Sequence, residues 1–254
     1  MAVTYTAGGP VGTITLDNPP ANSYDIEFMR ELAGAIGAAN DDRDARVVVL
    51  RSASEKFFSA GADIKRFLAN GVEENMNMIR LAHEALASIA RSEKLFVAYI
   101  AGHALGGGLE MALACDLRYA AEGSYRVGTP EVTLGLLPGN GGTQRLPRLI
   151  GAGPALELLL TGRQVTPDEA QRLGIVSGLF AGAEEFDAHA AKLAAGPPLA
   201  IAEIKRAVYE GTQKTLDDGL ALERELIEKL FRSRDANEGL TAFSEKRTPE
   251  FVGA

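Results

Sequence analysis

Along the first half of the chain, apolar residues recur with two different periods. Val11 to Asp17 alternates apolar and polar positions and runs into Asn18-Pro19-Pro20, which predicts a half-buried strand closed by a turn. Ile26, Met29, Leu32, Ala33 and Ile36 then fall at helical spacing, and Asp25 stands where it can cap that helix, which extends to Ala39. Val47-Val48-Val49-Leu50 is apolar without interruption, the pattern of a strand covered on both faces. Leu95 to Ala101 predicts another strand. Between them Phe57 to Asp63 reads as a loop, and Glu73 to Ala90 as a helix with Met76, Ile79, Leu86 and Ile89 on one stripe. Asp116 to Ala121 and Tyr125 to Gly128 are further strand candidates, and the alternation of strand and helix predicts an α/β domain.

The second half changes character. Thr166-Pro167-Asp168-Glu169 combines a capping threonine, a proline at the first helical position and a capping-box glutamate, and Gly174 ends the short helix. Pro198 to Tyr209, Thr215 to Phe231 and Ala236 to Phe243 predict three more helices. The expected organisation is an α/β core over residues 1–196 and a helical region over 197–254, joined at Gly196-Pro197-Pro198.

Composition narrows the classes of function. The length of 254 residues supports a substantial core. With 26 Lys and Arg against 34 Asp and Glu, the net charge is −8, so general attraction to nucleic acid or anionic membranes is not expected. No apolar stretch approaches the ~20 residues needed to span a bilayer. The single cysteine, Cys115, has no internal disulfide partner, and the N-terminus lacks a secretory pattern, so the cytoplasm is the expected compartment. Cys115 is expected in the core. His83, His103 and His189 are far apart and unaccompanied by ligand-type neighbours, so no metal site is expected. His103 reads as a residue that packs or hydrogen-bonds locally. No G-x-S-x-G, G-x-G-x-x-G or P-loop pattern occurs.

Glycine is unusually frequent, 28 of 254 residues, and it clusters. Gly106-Gly107-Gly108 follows a predicted strand and opens an apolar helix, a geometry that leaves backbone N–H groups free for an anion; a tight turn for close packing is the plain alternative. Glu110 lies among apolar residues from Leu109 to Cys115, where a carboxylate is costly unless partnered or neutral. It is therefore a catalytic candidate or one half of a buried ion pair. Glu131 follows Thr129-Pro130 and precedes an apolar run to Leu137; alone it reads as a solvated surface charge. In Ser59-Ala60-Gly61-Ala62-Asp63, Asp63 can cap a helix starting at Ile64, and small residues can bring the Ala62 N–H against a substrate oxygen.

Taken together, Lys56 to Lys65, Ala101 to Glu110 and Thr129 to Leu146 resemble, in order and spacing, the crotonase family, the enoyl-CoA hydratase/isomerase superfamily. Glu238 to Arg247 resembles its C-terminal helix. The resemblance covers nearly the whole chain and implies a crotonase-like (ClpP/crotonase) α/β fold of repeated ββα units with a helical C-terminal trimerisation region. It implies an oxyanion hole formed by the N–H groups of Ala62 and Gly107. Ala62, Asp63, Ile64, Lys65, Gly106, Gly107 and Gly139 would line the acyl-CoA site, and Phe243 and Lys246 would reach CoA in a neighbouring subunit. Glutamates at both 110 and 131 match the hydratase pattern, with Glu131 delivering a proton to C2 and Glu110 activating water. The implied reaction is hydration of trans-2-enoyl-CoA to 3-hydroxyacyl-CoA, with no metal or redox cofactor, in a homotrimer or dimer of trimers. An isomerase or another acyl-CoA lyase on the same site, or a non-catalytic acyl-CoA binder, is the alternative. Two segments stand out: Asn140 replaces a small residue, and Asn22-Ser23-Tyr24-Asp25 belongs to a variable region that shapes the acyl pocket.

Overall fold

The alternating run forms β2 (Val11–Leu16), which pairs antiparallel with β1 (Val3–Thr6) in the computed structural model, a description of residues 1–254. From β2 onward the main sheet is parallel: β3 (Val47–Ser52), β5 (Leu95–Ile100), β7 (Leu117–Ala121) and β9 (Gly178–Phe180) follow in the order β1-β2-β3-β5-β7-β9. The uninterrupted apolar runs are buried on both faces, as their pattern requires. Val48, Leu50, Phe96, Ala98 and Ile100 turn toward the main core, while Val47, Val49, Leu95, Val97 and Tyr99 turn toward Phe186, Ala190 and Ala194 of α8 (Ala183–Ala194). Each fully buried side chain of this kind contributes roughly 1.5–3 kcal/mol.

A second, three-stranded parallel sheet lies beside the first: β4 (Phe57–Ser59), β6 (His103–Leu105) and β8 (Val127–Gly128). Strands β3, β5 and β7 each hand the chain to a short strand of this smaller sheet and then to a helix, which is the repeated ββα unit. The region read as a loop at Phe57 to Asp63 thus begins as a strand. At three residues without alternation, β4 exists through its pairing with β6 rather than through local preference.

Helices cover the sheets. Asp25 caps α1 (Ile26–Asp41) by accepting from the N–H groups of Glu27 and Phe28. In α3 (Val72–Arg91) the buried stripe is Met78, Ala82, Ala85, Leu86 and Ile89. Met76, placed on that stripe by its spacing, is 42% exposed; the small Ala82 and Ala85 let the helix approach the core along a line through Met78. α4 (Gly107–Ala114) is buried along its whole length and continues into Cys115, 1% exposed. Thr166 caps α7 (Pro167–Leu173), and Gly174 ends it in the left-handed conformation. Glu131 to Leu137 is not an extended core element: Pro130–Leu134 is a 3₁₀ turn whose apolar side chains Val132 and Leu134, with Leu136 and Leu137 beyond, are exposed. α2 (Ile64–Ala69), α5 (Gly142–Ile150) and α6 (Ala152–Thr161) complete the core.

The C-terminal helices α9 (Pro198–Gly211), α10 (Leu216–Phe231) and α11 (Arg234–Glu245) follow. α9 is tied to the sheet by a buried ion pair, Lys205 Nζ to Asp116 Oδ2 at 2.7 Å, each side chain 7% exposed. Lys205 also donates to the carbonyls of Ile89 and Lys94, and Asp116 accepts from Phe96 N–H and Tyr209 O–H. Burial pushes the Asp116 carboxyl up and the Lys205 ammonium down, each against the attraction of the other. Removing one partner strands the other charge in the interior. Lys205→Met is therefore expected to cost about 3–5 kcal/mol in urea unfolding, and Asp116→Asn in the same chain to recover part of that loss. A K205M variant as stable as the wild type would contradict this role.

Candidate active site

Three parallel strands that end together bring their following loops to one edge, and the small sheet does this for the three segments singled out in the sequence. β4 runs into Ala60-Gly61-Ala62-Asp63, β6 into Gly106-Gly107, and β8 into Thr129-Pro130-Glu131. The site is therefore assembled at the carboxyl ends of β4, β6 and β8, where open α/β sheets bind ligands.

The first two loops are pressed against each other. Gly61 has φ 92°, and a Cβ there would lie 2.9 Å from the Leu105 carbonyl oxygen and 3.5 Å from the Gly107 nitrogen. Tyr24 N–H donates to Gly61 O at 3.0 Å, and Asp63 N–H donates to Tyr24 O at 2.8 Å. That bridge uses the groups flanking Ala62 and leaves the Ala62 N–H facing the opposite way. Gly107 opens α4, where the first N–H groups have no intrahelical acceptor. Neither N–H takes part in a hydrogen bond within the chain.

Each glycine of the triplet makes room for a different neighbour. A Cβ would lie 2.7 Å from Glu131 Oε1 at Gly106, 2.1 Å from the Tyr24 hydroxyl at Gly107, and 2.3 Å from the Ser59 carbonyl oxygen at Gly108. Gly106 also has φ 56°. The close packing of these glycines is thus realised, and the same backbone contacts leave the Gly107 N–H free.

Glu110 sits on the first turn of α4 and is 1% exposed. It forms no ion pair; its Oε1 accepts from Gly142 N–H at 2.6 Å. Burial raises its carboxyl to about 7, the Gly142 and Asn140 N–H groups opposing that shift and the nearby Glu131 adding to it. Glu131, in the first turn of the 3₁₀ helix, is not a solvated surface charge. Its Oε1 faces Gly106, its Oε2 is buried without a hydrogen-bond partner, and burial raises its pKa as well. Two carboxyl groups whose pKa values are raised by burial, beside two unused N–H donors, can move a proton on and off a carbon next to a carbonyl while stabilising the oxygen's charge.

A third polar group joins them. Tyr24, 4% exposed, accepts from Asn140 Nδ2 at 2.7 Å, and Asn140 itself is fully buried with its Oδ1 unpartnered. Burial, then Glu110, then Glu131 push the Tyr24 phenol up, so it is a neutral donor. Its part in the site was hidden in sequence by the 116 residues between Tyr24 and Asn140. Asn22, of the same segment, is a buried clamp whose Nδ2 donates to Ser52 Oγ and to the Phe58 carbonyl.

The remaining candidates spread outward. Asp63 caps α2 by accepting from Lys65 and Arg66 N–H groups, and Ile64 and Lys65 lie on the exposed first turn. Gly139 O accepts from His83 Nε2 at 2.6 Å, and Ile79 packs beside it. Phe243, 87% exposed, and Lys246 are on or just after α11, in the helical region rather than in this cluster. His103 Nδ1 accepts from Arg126 N–H, and its ring packs on Phe57. No three His, Cys, Asp or Glu side chains converge as metal ligands, and no helix is long and apolar enough to cross a membrane. A cavity of about 800 Å³ lies at the other end of the main strands, lined by residues including Asp42, Arg46 and Lys94; it holds neither glutamate.

Comparison with known proteins identifies the family. Residues 6–254 match the family model described as enoyl-CoA hydratase/isomerase. The chain is 39% identical over 248 residues to human enoyl-CoA hydratase domain-containing protein 2, covering 94% of this chain and 85% of that one. It is 36% identical over 246 residues to the short-chain-enoyl-CoA hydratase of Clostridium acetobutylicum, covering 95% and 94%. The solved structure of an enoyl-CoA hydratase from Geobacillus kaustophilus superposes with a TM-score of 0.95 at 42% identity, covering 100% of this chain and 97% of the other. The chain has the crotonase fold and belongs to the enoyl-CoA hydratase/isomerase family.

Proposed function

We propose that this protein is an enoyl-CoA hydratase that adds water across the double bond of trans-2-enoyl-CoA. The observation that carries the reading is the pair of buried Glu110 and half-buried Glu131, both with raised pKa, beside the unused N–H groups of Ala62 and Gly107. In this reading the thioester oxygen accepts from Ala62 and Gly107. A water oxygen bonds to C3 as Glu110 takes one of its protons, the electron pair of the C2–C3 double bond moves toward the thioester, and Glu131 gives its proton to C2. The two protons balance, no electrons are exchanged with another group, and the chemistry calls on no metal or redox cofactor.

The thioester's CoA portion would pass the exposed first turn of α2 at Asp63, Ile64 and Lys65, with Gly106 and Gly139 lining the acyl end. Phe243 and Lys246 would contact CoA held by a second copy of the chain. A homotrimer or dimer of trimers fits the exposed apolar side chains Phe231, Leu240 and Phe243 of α10 and α11, and light scattering is expected to give three or six times the 26.9 kDa of one chain. A monomer at micromolar concentration would count against it.

With crotonyl-CoA as substrate, loss of the enoyl-thioester absorbance is expected for the wild type. Glu110→Gln and Glu131→Gln are each expected to lose at least about 100-fold in rate, the size of an acid–base contribution. Wild-type binding without turnover of crotonyl-CoA or longer enoyl-CoAs would refute the hydratase reading. The base must be ionised, so kcat/KM should rise with pH through about 7, where Glu110 titrates within the coupled pair. A pH profile flat from 5 to 9 would contradict the assignment.

Burying Glu110 also sets a stability signature. Its pKa rises from 4.5 unfolded to about 7 folded, so the folded state holds a proton in that window which the unfolded state has released. Stability then falls as pH rises from about 4.5 to 7, by up to about 3 kcal/mol at 1.36 kcal/mol per unit. Glu110→Gln removes this term, and its Tm advantage over the wild type should grow between pH 5 and pH 8. An advantage independent of pH would show that Glu110 is not held neutral by the fold.

A further inference from the structure

The hydration step leaves two groups of the site without a task, the Tyr24 hydroxyl and the Asn140 amide. Both are buried and hydrogen-bonded to each other across 116 residues of sequence. Because Asn140 Nδ2 donates to the Tyr24 oxygen at 2.7 Å, the hydroxyl hydrogen must point elsewhere, and no group of the chain accepts it. The oxygen packs against Gly107 so closely that a Cβ at that position would lie 2.1 Å away. Asn140 and Gly142 also flank Glu110, whose carboxylate their N–H groups hold. The free donor of Tyr24 therefore lies against the start of α4, near enough to Glu110, one turn further along that helix, for the carboxylate to raise the phenol's pKa.

A water molecule about to add at C3 has two O–H bonds and two lone pairs to place. One O–H faces Glu110, and one lone pair must face C3. The second O–H has an acceptor in the unpartnered Glu131 Oε2. The second lone pair needs a donor, and a neutral, buried hydroxyl with a free hydrogen is what it requires. We propose that Tyr24 is a further catalytic residue that donates a hydrogen bond to the attacking water, and that Asn140 is the positioning residue that turns the Tyr24 hydroxyl toward it. This inference rests on the hydratase reading. Tyr24 keeps its proton throughout; the transferred protons remain those of water and Glu131. Its burial beside Glu110 and Glu131 holds the phenol in the protonated form at all pH values at which the glutamates work.

The test compares Tyr24→Phe, Asn140→Ala and the double variant with the wild type in hydration of crotonyl-CoA, with Tm recorded for each. Tyr24→Phe is expected to lower kcat by about 10- to 100-fold, the size of one hydrogen bond to a reacting oxygen, while KM changes less than about threefold. Asn140→Ala should lose less. The double variant should be no slower than Tyr24→Phe, because Asn140 acts only through the hydroxyl; it also removes the unpaired amide that Tyr24→Phe alone would bury. The proposal is overturned if Tyr24→Phe keeps kcat within about twofold, if the two losses multiply, or if Asn140→Ala loses more than Tyr24→Phe, which would make the amide the donor. A Tyr24→Phe chain that does not fold leaves Asn140→Ala to decide, since a folded N140A variant with unchanged kcat also overturns it. A wild type that hydrates no enoyl-CoA fails earlier and refutes the hydratase reading itself, and this proposal with it.

Discussion

The structure depends on keeping a carboxylic acid inside an apolar helix. Every residue of α4 is buried, and Glu110 within it forms no direct ion pair; Arg145 attracts it only as a smaller contribution behind burial and the backbone N–H groups. A carboxylate in that position is tolerated because backbone N–H groups of the Asn140 to Gly142 loop reach it, and because the acid can retain its proton near neutrality. The glycines around it follow from the same constraint: at Gly142 a Cβ would approach Glu110 Oε1 to 3.0 Å, so a side chain there would crowd the group that the N–H holds. Destabilisation by this acid is the expected companion of a site whose chemistry needs a group poised between its charged and neutral forms.

The two-sheet arrangement supplies the geometry. Long strands carry the burial and run to the centre of the domain with apolar side chains on both faces. The short strands carry little burial of their own, but as three parallel neighbours they align the ends of three ββα units. Segments separated by 46 and 25 residues then meet in close contact, with Gly61 against Gly107 and Gly106 against Glu131. The rigidity of this meeting point comes from contacts that exclude even a methyl group, which is why precision at the site is encoded in glycine rather than in large side chains. On the other side, the Lys205–Asp116 pair fixes α9 to the sheet, so the helical C-terminal region is positioned by the core that carries the site.

Much of this was legible along the chain because it depends on local periodicity and local chemistry. The runs at Val47 and Leu95, the caps at Asp25 and Thr166, and the wholly apolar surroundings of Glu110 each follow from neighbours a few residues away, and the structure realises them. The pattern of glycines and acids also sufficed for a family resemblance that the comparisons establish. Periodicity was weaker where a small shift decides the face, as at Met76, which yields its place to Met78 because two alanines move the helix's closest approach. It was blind to β4 and β6, each of three residues, which become strands only by pairing with each other and, for β6, with β8.

What the sequence by itself determined is which segments bury, where helices begin and end, and that an acid lies where water is scarce. Only the tertiary structure decided what that acid meets: that Glu110 is held by backbone N–H groups and not by a direct ion pair, that Glu131 is half-buried with its carboxyl against Gly106, and that Tyr24 and Asn140 form a pair. The physical reason is range. Caps and periodicity act within one or two turns of chain, whereas the burial that shifts a carboxyl and the donor that satisfies it come from loops joined only when three parallel strands end at one edge.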